Sequence, residues 1–284
     1  MTSTAEASAP IVALTIAGFD PSGGAGVIAD VKTFTAFGCF ATAAVTSLTY
    51  QNTQGVYGAV HQTSAAVRAQ VLPILADFTV ACVKTGMLPT REVIEEVARL
   101  FRESEMPQPV IDPVVRSTSG FDLIDDAALA ALVQQLFPLA RVVTPNIPEA
   151  ERITGLRIAD EEGMRRAAHA MRGMGARAVL VKGGHLGEQA EGFEQGENEL
   201  VALDLLDEEG RVTPFRAERI STTSTHGTGC TLAAAIAACL GRRLSLTESI
   251  GTAKRYVTDA IRQAPRLGHG HGPLNHAVRV RFDE

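Results

Sequence analysis

The chain has 284 residues, 26 Lys and Arg against 32 Asp and Glu for a formal charge of −6, and 45% hydrophobic residues. That apolar content excludes an intrinsically disordered chain, and a net acidic protein has no overall attraction for a polyanion, so nucleic acid is not an expected partner and any phosphate must be met by a local site. The longest uninterrupted apolar run, Leu232–Leu240, is about half of the roughly 20 residues a membrane helix needs, and residues 1–9 carry no Lys, no Arg and no apolar signal core, so neither export nor a membrane span is expected.

Residues 1–9 are small and polar and read as a frayed tail, with one domain expected over 10–284. Short apolar runs then alternate with amphipathic stretches. Ile11–Ile16, Thr42–Leu48, Thr79–Lys84, Val110–Asp112, Arg141–Thr144 and Ala178–Lys182 read as strands, and 24–38, 63–76, 90–104, 125–137, 147–154 and 160–174 as the helices between them. Strands apolar on both faces belong to a mostly parallel sheet covered by helices on each side, joined by right-handed crossovers. Residues 187–199 break this rhythm with an acidic, turn-rich stretch, and Leu200–Leu206 and Arg211–Phe215 flank Asp207–Gly210 as a hairpin; together they suggest a small surface flap. A glycine-rich loop at 226–229, an Ala-rich helix to Leu240, a helix over about 246–263 and a Gly/His segment at 268–273 complete the chain. Cys39, Cys82, Cys230 and Cys239 form no C-x-x-C pair, which argues against a disulfide framework or a zinc knuckle and for a reducing, cytoplasmic compartment.

Two glycine clusters point to chemistry. Gly18–Gly26 runs from the first strand into a helix and contains Gly24-x-Gly26-x-x-Ala29, which mimics a dinucleotide fingerprint, but Thr46–Gln54 lacks the acid that should follow to bind a ribose. Thr225–Thr231 opens a helix with Gly227, Thr228 and Gly229, where backbone N–H groups at a partly positive helix end form an anion hole. No GxxxxGK[ST] occurs, so a P-loop is not its source. His226 and Cys230 also suggest a Cys/His hydrolase pair, although nothing in the sequence identifies an orienting third group, and His269 and His271 could chelate a metal as HxH within a glycine-rich segment. Asn146 and Glu149 stand three apart at a helix start, where they suit either a Mg²⁺ ion with its waters or a capping box; spacing alone does not separate the two. Asp112 and Lys182 end buried strands, where ligands of α/β proteins bind.

The motifs AGFDPSGGAG (17–26), ADVKTF (29–34), QNTQGV (51–56), KTGML (84–88), IDPVV (111–115), TPNIPEA (144–150), VKGGH (181–185), THGTGCT (225–231) and GHGHGP (268–273), taken together and in order, resemble the hydroxymethylpyrimidine/phosphomethylpyrimidine kinases of thiamine biosynthesis, which are ribokinase-like. The resemblance runs from about residue 11 to 276 and implies an α/β fold with a central, mostly parallel sheet. It implies phosphorylation by MgATP of 4-amino-5-hydroxymethyl-2-methylpyrimidine, then of the monophosphate, in a homodimer. It further implies that Gly227–Cys230 form the anion hole with Cys230 as general base, that Asn146 and Glu149 organise Mg²⁺ through water, and that Asp112 and Lys182 partner phosphate and metal. Gly18, Asp30, Gln51, Met87 and Val114 resemble the pyrimidine pocket. A Gln amide offers a donor and an acceptor to an aminopyrimidine edge, while Met87 and Val114 suit ring and methyl.

Val115 and Thr118 stand where many members have Met and Lys, and Phe19 where Thr or Ser is common; the missing Lys removes one cation from phosphate clamping in the second step. The nearest competitor is a pyridoxal kinase on the same scaffold. Gln51 argues against it, because such kinases built on this pattern look like having Met there. A catalytically silent nucleotide-binding protein is disfavoured by the joint presence of Asp112, Asn146, Glu149, Lys182 and Cys230.

Overall fold

The computed structural model describes residues 9–115, 123–184 and 201–282. In chain order these form β1 (Ile11–Phe19), α1 (Gly26–Ala36), β2 (Cys39–Asn52), β3 (Gly55–His61), α2 (Ser64–Asp77), β4 (Val80–Thr85), α3 (Arg91–Glu103), β5 (Val110–Ile111), α4 (Asp126–Ala131), β6 (Val142–Val143), α5 (Ile147–Thr154), α6 (Glu161–Gly173), β7 (Ala178–Gly183), β8 (Val201–Glu208), β9 (Arg211–Glu218), α7 (Thr228–Gly241) and α8 (Leu246–Arg262). The strands make one sheet ordered β3-β2-β1-β4-β5-β6-β7-β8-β9. It is parallel from β2 to β7 and antiparallel at both ends.

One apolar layer packs α2 to α6 on one face, through residues such as Val67, Ile94, Ala128, Ala150 and Met164. The other packs α1, α7 and α8 through Phe34, the Leu232–Cys239 stretch, Ile250 and Tyr256. The strands between them are apolar on both faces for that reason. Thr63, Thr90, Asp125, Asp160 and Ser245 each cap a helix by accepting a backbone N–H with the side chain. No helix among the described residues is long and apolar enough to cross a membrane.

The architecture matches the expectation from periodicity, with four local differences. β3 was not expected; it carries Gly55 and Gly58 and sits at an edge, so it lacks a buried apolar face to announce it. β5 and β6 are only two residues long, because Pro113 and Pro145 follow Asp112 and Thr144 and offer no N–H to continue the ladder. The helix expected to 137 ends at Ala131, and the chain continues through a widened turn, Leu132–Leu136, into a 3₁₀ turn containing Pro138. The hairpin expected as part of a flap instead extends the sheet: β8 pairs with β7 from Ala178↔Glu208 to Gly183↔Leu203, and Leu203, Leu205 and Leu206 are buried. Residues 187–199 and Thr118 lie outside the described residues.

Candidate active site

After β1 the chain lays β2 and β3 on one side, then crosses back to place β4 on the other. The strand order therefore reverses between β1 and β4, and such a reversal opens a crevice at the carboxyl ends of the strands. Gly18 lies near the end of β1, Lys84 near the end of β4 with Met87 just beyond it, Asp112 and Val114 follow β5, Asn146 follows β6, and Lys182 lies near the end of β7. α7 packs across β1, β4 and β5, bringing its first turn to the same edge.

That first turn is shaped by close backbone packing. Gly227 caps α7 at φ 80°, and a Cβ there would sit 1.8 Å from the carbonyl oxygen of Gly24. A Cβ on Gly24 would lie 2.3 Å from the His226 ring, and one on Gly26 would lie 2.2 Å from the Gly18 carbonyl oxygen. The two glycine clusters are thus pressed against each other, and the dinucleotide-like spacing at 24–29 is explained by this contact. The Thr228 N–H donates to the Thr225 carbonyl at 3.3 Å and its hydroxyl to the same oxygen at 2.8 Å. Of the expected anion-hole residues, Thr228 spends its N–H within the turn and Gly227 is the cap, while Gly229 and Cys230 follow in the first turn of the helix.

Cys230 lies close to two ion pairs, one fully buried and one partly buried. In the first, Lys84 Nζ meets Asp30 Oδ2 at 2.8 Å with both side chains fully buried, and the Thr15 hydroxyl donates to the same oxygen at 2.6 Å. In the second, Lys182 Nζ meets Asp112 Oδ1 at 2.9 Å, and a Cβ on Gly229 would come within 2.9 Å of that ammonium. Burial works against the Asp112 carboxylate, but Lys182 and Lys84 outweigh it and hold the carboxyl below its usual range. Burial likewise works against the ammonium of Lys84, and Asp30 overrides it, leaving the lysine pKa raised. The Cys230 thiol is pushed up to about 12 by burial, with Lys84 and the Gly26 N–H opposing that rise. A helix N-terminus by itself lowers a thiol's pKa; here desolvation is the larger effect, and the resting residue is a thiol.

Asn146 and Glu149 form the capping box: Asn146 Oδ1 accepts the Glu149 N–H at 2.8 Å, and Glu149 Oε2 accepts the Asn146 N–H at 2.8 Å. The capping reading of this spacing is therefore realised, and the Glu149 carboxylate also accepts a backbone N–H from Val115. Burial lifts Glu149 to about 7, against the favourable charge of Lys182. Among the described residues no three His, Cys, Asp or Glu side chains are arranged to hold a metal by themselves. The hard carboxylate oxygens of Glu149 and Asp112 fit Mg²⁺ in its usual manner, in which one or two carboxylates share the ion with water and substrate phosphate.

On the acceptor side, Gly18 faces Met87, since a Cβ there would lie 2.8 Å from Met87 Cε. Gln51 is half-buried on β2 just after a register shift, a bulge of the kind that re-aims a side chain, and Val114 is half-buried beyond β5. Asp30 lies beneath this surface with no exposure, engaged by Thr15 and Lys84; its Oδ1 has no protein hydrogen-bond partner. The suggested Cys/His pair does not assemble, because His226 Nε2 meets Asp20 Oδ2 at 2.7 Å. The His269/His271 segment is a backbone strap: the His271 N–H donates to the Thr53 carbonyl at 2.7 Å, and the His269 N–H to Thr53 Oγ1 at 3.2 Å.

Residues 20–275 match the family model for phosphomethylpyrimidine kinase. The chain belongs to the phosphomethylpyrimidine kinase family. A hydroxymethylpyrimidine/phosphomethylpyrimidine kinase of Haemophilus influenzae is 41% identical over 269 residues, covering 95% of this chain and 97% of that protein. The thiamine biosynthesis bifunctional protein ThiED of Geobacter sulfurreducens is 46% identical over 93% of this chain, which spans 52% of that longer protein's length. Among solved structures, the Bacillus subtilis pyridoxal kinase in complex with ADP superposes with a TM-score of 0.84 at 33% identity, covering 95% of this chain and 98% of that one. The phosphomethylpyrimidine kinase of Clostridium difficile gives 0.75 at 35% identity, covering 88% and 99%.

Family membership makes the protein a kinase on this scaffold, and the structure brings forward residues that sequence reasoning passed over. Lys84, read only as the end of a strand, and Thr15, inside β1, both serve Asp30. The available signal was a lysine inside the apolar run Val80–Thr85 together with an aspartate on the buried face of α1, two charges that can be interred only as a pair. The Asp20–His226 contact spans 206 residues and leaves no local trace.

Proposed function

We propose that the protein transfers the γ-phosphoryl group of ATP to the hydroxymethyl oxygen of 4-amino-5-hydroxymethyl-2-methylpyrimidine, and then to the resulting monophosphate. The observation carrying this reading is the placement of Cys230, in the first turn of α7, close to the Asp30–Lys84 and Asp112–Lys182 pairs at the carboxyl edge of the sheet. In the first step Cys230 first gives up its own proton to solvent; the acceptor oxygen then bonds to the γ-phosphorus as the bond to the β-phosphate oxygen breaks, the hydroxyl proton passes to the Cys230 thiolate, and ADP leaves. Gly229 and Cys230 N–H groups face the charge that develops on the transferred group, which is where fixed donors contribute most. Lys182 supplies a cation at that point. In the second step the acceptor is a phosphate already ionised at neutral pH, so no base is needed.

Glu149, Asp112 and, through water, Asn146 are the residues that would hold Mg²⁺. When bound, the ion neutralises charge on the β- and γ-phosphates. Gln51 reads the aminopyrimidine edge, and Met87, Val114 and the bare backbone at Gly18 receive the ring. A pyridoxal-phosphorylating reading draws on the Bacillus subtilis neighbour, but Gln51 supports the aminopyrimidine as the preferred acceptor.

A second copy of the chain is the expected partner. Leu48 and Val60 stand opposite each other on the β2–β3 arm, and with Tyr50 and Tyr57 they are 44 to 67% exposed, an apolar surface suited to pairing with its own copy. Light scattering should then give twice 30.0 kDa. The kinase reading is tested by incubating the protein with ATP and the pyrimidine alcohol and following products by mass, with and without excess chelator. Monophosphate followed by diphosphate, both lost with chelator, is the expected result. No transfer to the alcohol would refute the reading, and transfer undiminished by chelator would refute the metal role.

A further inference from the structure

Asp20 collects more hydrogen bonds than its turn requires. Its Oδ1 accepts the Ser22 N–H at 2.8 Å and the Ser22 hydroxyl at 2.7 Å. Its Oδ2 accepts the Gly24 N–H at 3.2 Å and the Ala25 N–H at 2.8 Å, and also meets His226 Nε2 at 2.7 Å. The residue is only 1% exposed, and although burial works against its charge, the bonds from His226 and Ser22 outweigh that and keep the carboxyl below its ordinary range. An ionised carboxylate only accepts, so Nε2 carries the proton and donates.

This bond joins two loops that both reach the reaction. The 20–26 loop begins two residues after Gly18 on the acceptor side and ends at the Gly26 N–H, which faces the Cys230 sulfur. His226 is the residue before Gly227, the cap of the helix that carries Gly229 and Cys230. Its own N–H donates to the Gly272 carbonyl at 3.1 Å. The 269–271 strap in turn holds Thr53, two residues from Gln51.

We propose that Asp20 and His226 are positioning residues of the transfer reaction: their hydrogen bond fixes the first turn of α7 against the β1–α1 loop and so sets the separation of donor and acceptor. The proposal rests on the kinase reading above. Neither side chain acts on the reacting atoms, since Asp20 spends both oxygens on its loop and His226, and the His226 ring lies against Gly24. Charge-assisted bonds of this kind are short and directional, and misplacement by about 1 Å from a change away from the chemistry costs about 10²-fold in rate.

The test compares His226→Ala, His226→Gln, Asp20→Asn and the double variant Asp20→Asn/His226→Ala. Each is measured for kcat and KM with ATP and the pyrimidine alcohol, for Tm, and for amide hydrogen exchange over residues 20–26 and 226–231. His226→Ala should lose about 10²-fold in kcat with little change in the KM for ATP. His226→Gln, which keeps a side-chain N–H, should recover part of that loss. The double variant should be no worse than the poorer single, because both remove one bond. In His226→Ala the two segments should lose protection together. Unchanged kcat, multiplying losses in the double variant, or unchanged exchange would each overturn the proposal. If His226→Ala does not fold, His226→Gln and Asp20→Asn decide the same question, and wild-type kcat in both overturns it. Exchange reads the clamp without turnover, so a clamp found in a protein that transfers no phosphate would count against the kinase reading alone.

Discussion

Replacing Cys230 by Ala separates the two phosphorylations that one site is proposed to perform. Burial pushes the thiol up to about 12, well above neutral pH, so the resting residue is the thiol. Cys230 therefore cannot act as a stored anion. It must take up the hydroxyl proton as a minor species favoured by Lys84 and the Gly26 N–H. A positioned base contributes about 10²–10⁴-fold, or about 3–5 kcal/mol, to an alcohol acceptor. The monophosphate, with a second pKa of about 6, has no proton to remove. Cys230→Ala should thus lower kcat for the alcohol by about 10²–10⁴-fold and leave the monophosphate step and ATP affinity little changed, since the anion hole is backbone. In the wild type, kcat for the alcohol should climb about tenfold per pH unit across the neutral range, and Cys230→Ala should flatten that slope. Coupled assays on both acceptors at several pH values measure this directly. Equal loss on both acceptors would show that Cys230 shapes the helix start and is not the base, and Cys230→Asp would then fail to restore the first step.

Three further outcomes follow from the same geometry. Gln51→Met should weaken the aminopyrimidine relative to pyridoxal by about 1–3 kcal/mol in kcat/KM, because the ring's polar edge loses its partner; an unchanged ratio would show that Gln51 does not read the ring. Burial raises Glu149 from 4.5 to about 7, so the folded state favours its protonated form, and that stability is complete below pH 4.5 and lost as pH rises through 7, an effect of up to about 3 kcal/mol. In metal-free protein Glu149→Gln should therefore raise Tm at pH 8 and change it little at pH 4, and equal shifts at both would refute this. Asp30→Ala strands the buried Lys84 ammonium and should cost about 3–5 kcal/mol in urea unfolding, whereas Asp30→Leu/Lys84→Met should lose much less; equal losses would mean that the pair is not what holds the charge inside.

The sheet and its helices were legible because parallel strands buried on both faces announce themselves as unbroken apolar runs, as Ala178–Lys182 does. β3 was hidden because an exposed edge strand with two glycines has no such run. Lys182 and Asp112 could be placed by strand ends alone, and they meet at 2.9 Å. The state of Cys230 could not: a helix start suggests a lowered pKa, and only packing reveals how far desolvation overrides it. The same holds for Asn146 and Glu149, whose spacing suits a cap and a metal alike, and for Asp30, whose burial with Lys84 depends on two elements meeting across the sheet.

The site is proposed to phosphorylate an aminopyrimidine alcohol in preference to pyridoxal, the substrate named for a structural neighbour. The most direct measurement is kcat/KM with MgATP for the pyrimidine alcohol, its monophosphate and pyridoxal, side by side on one preparation. Turnover of both pyrimidines is expected, with the alcohol favoured over pyridoxal by at least the roughly tenfold that one buried hydrogen bond supplies. Pyridoxal turned over as well as the pyrimidine alcohol, or better, would contradict it.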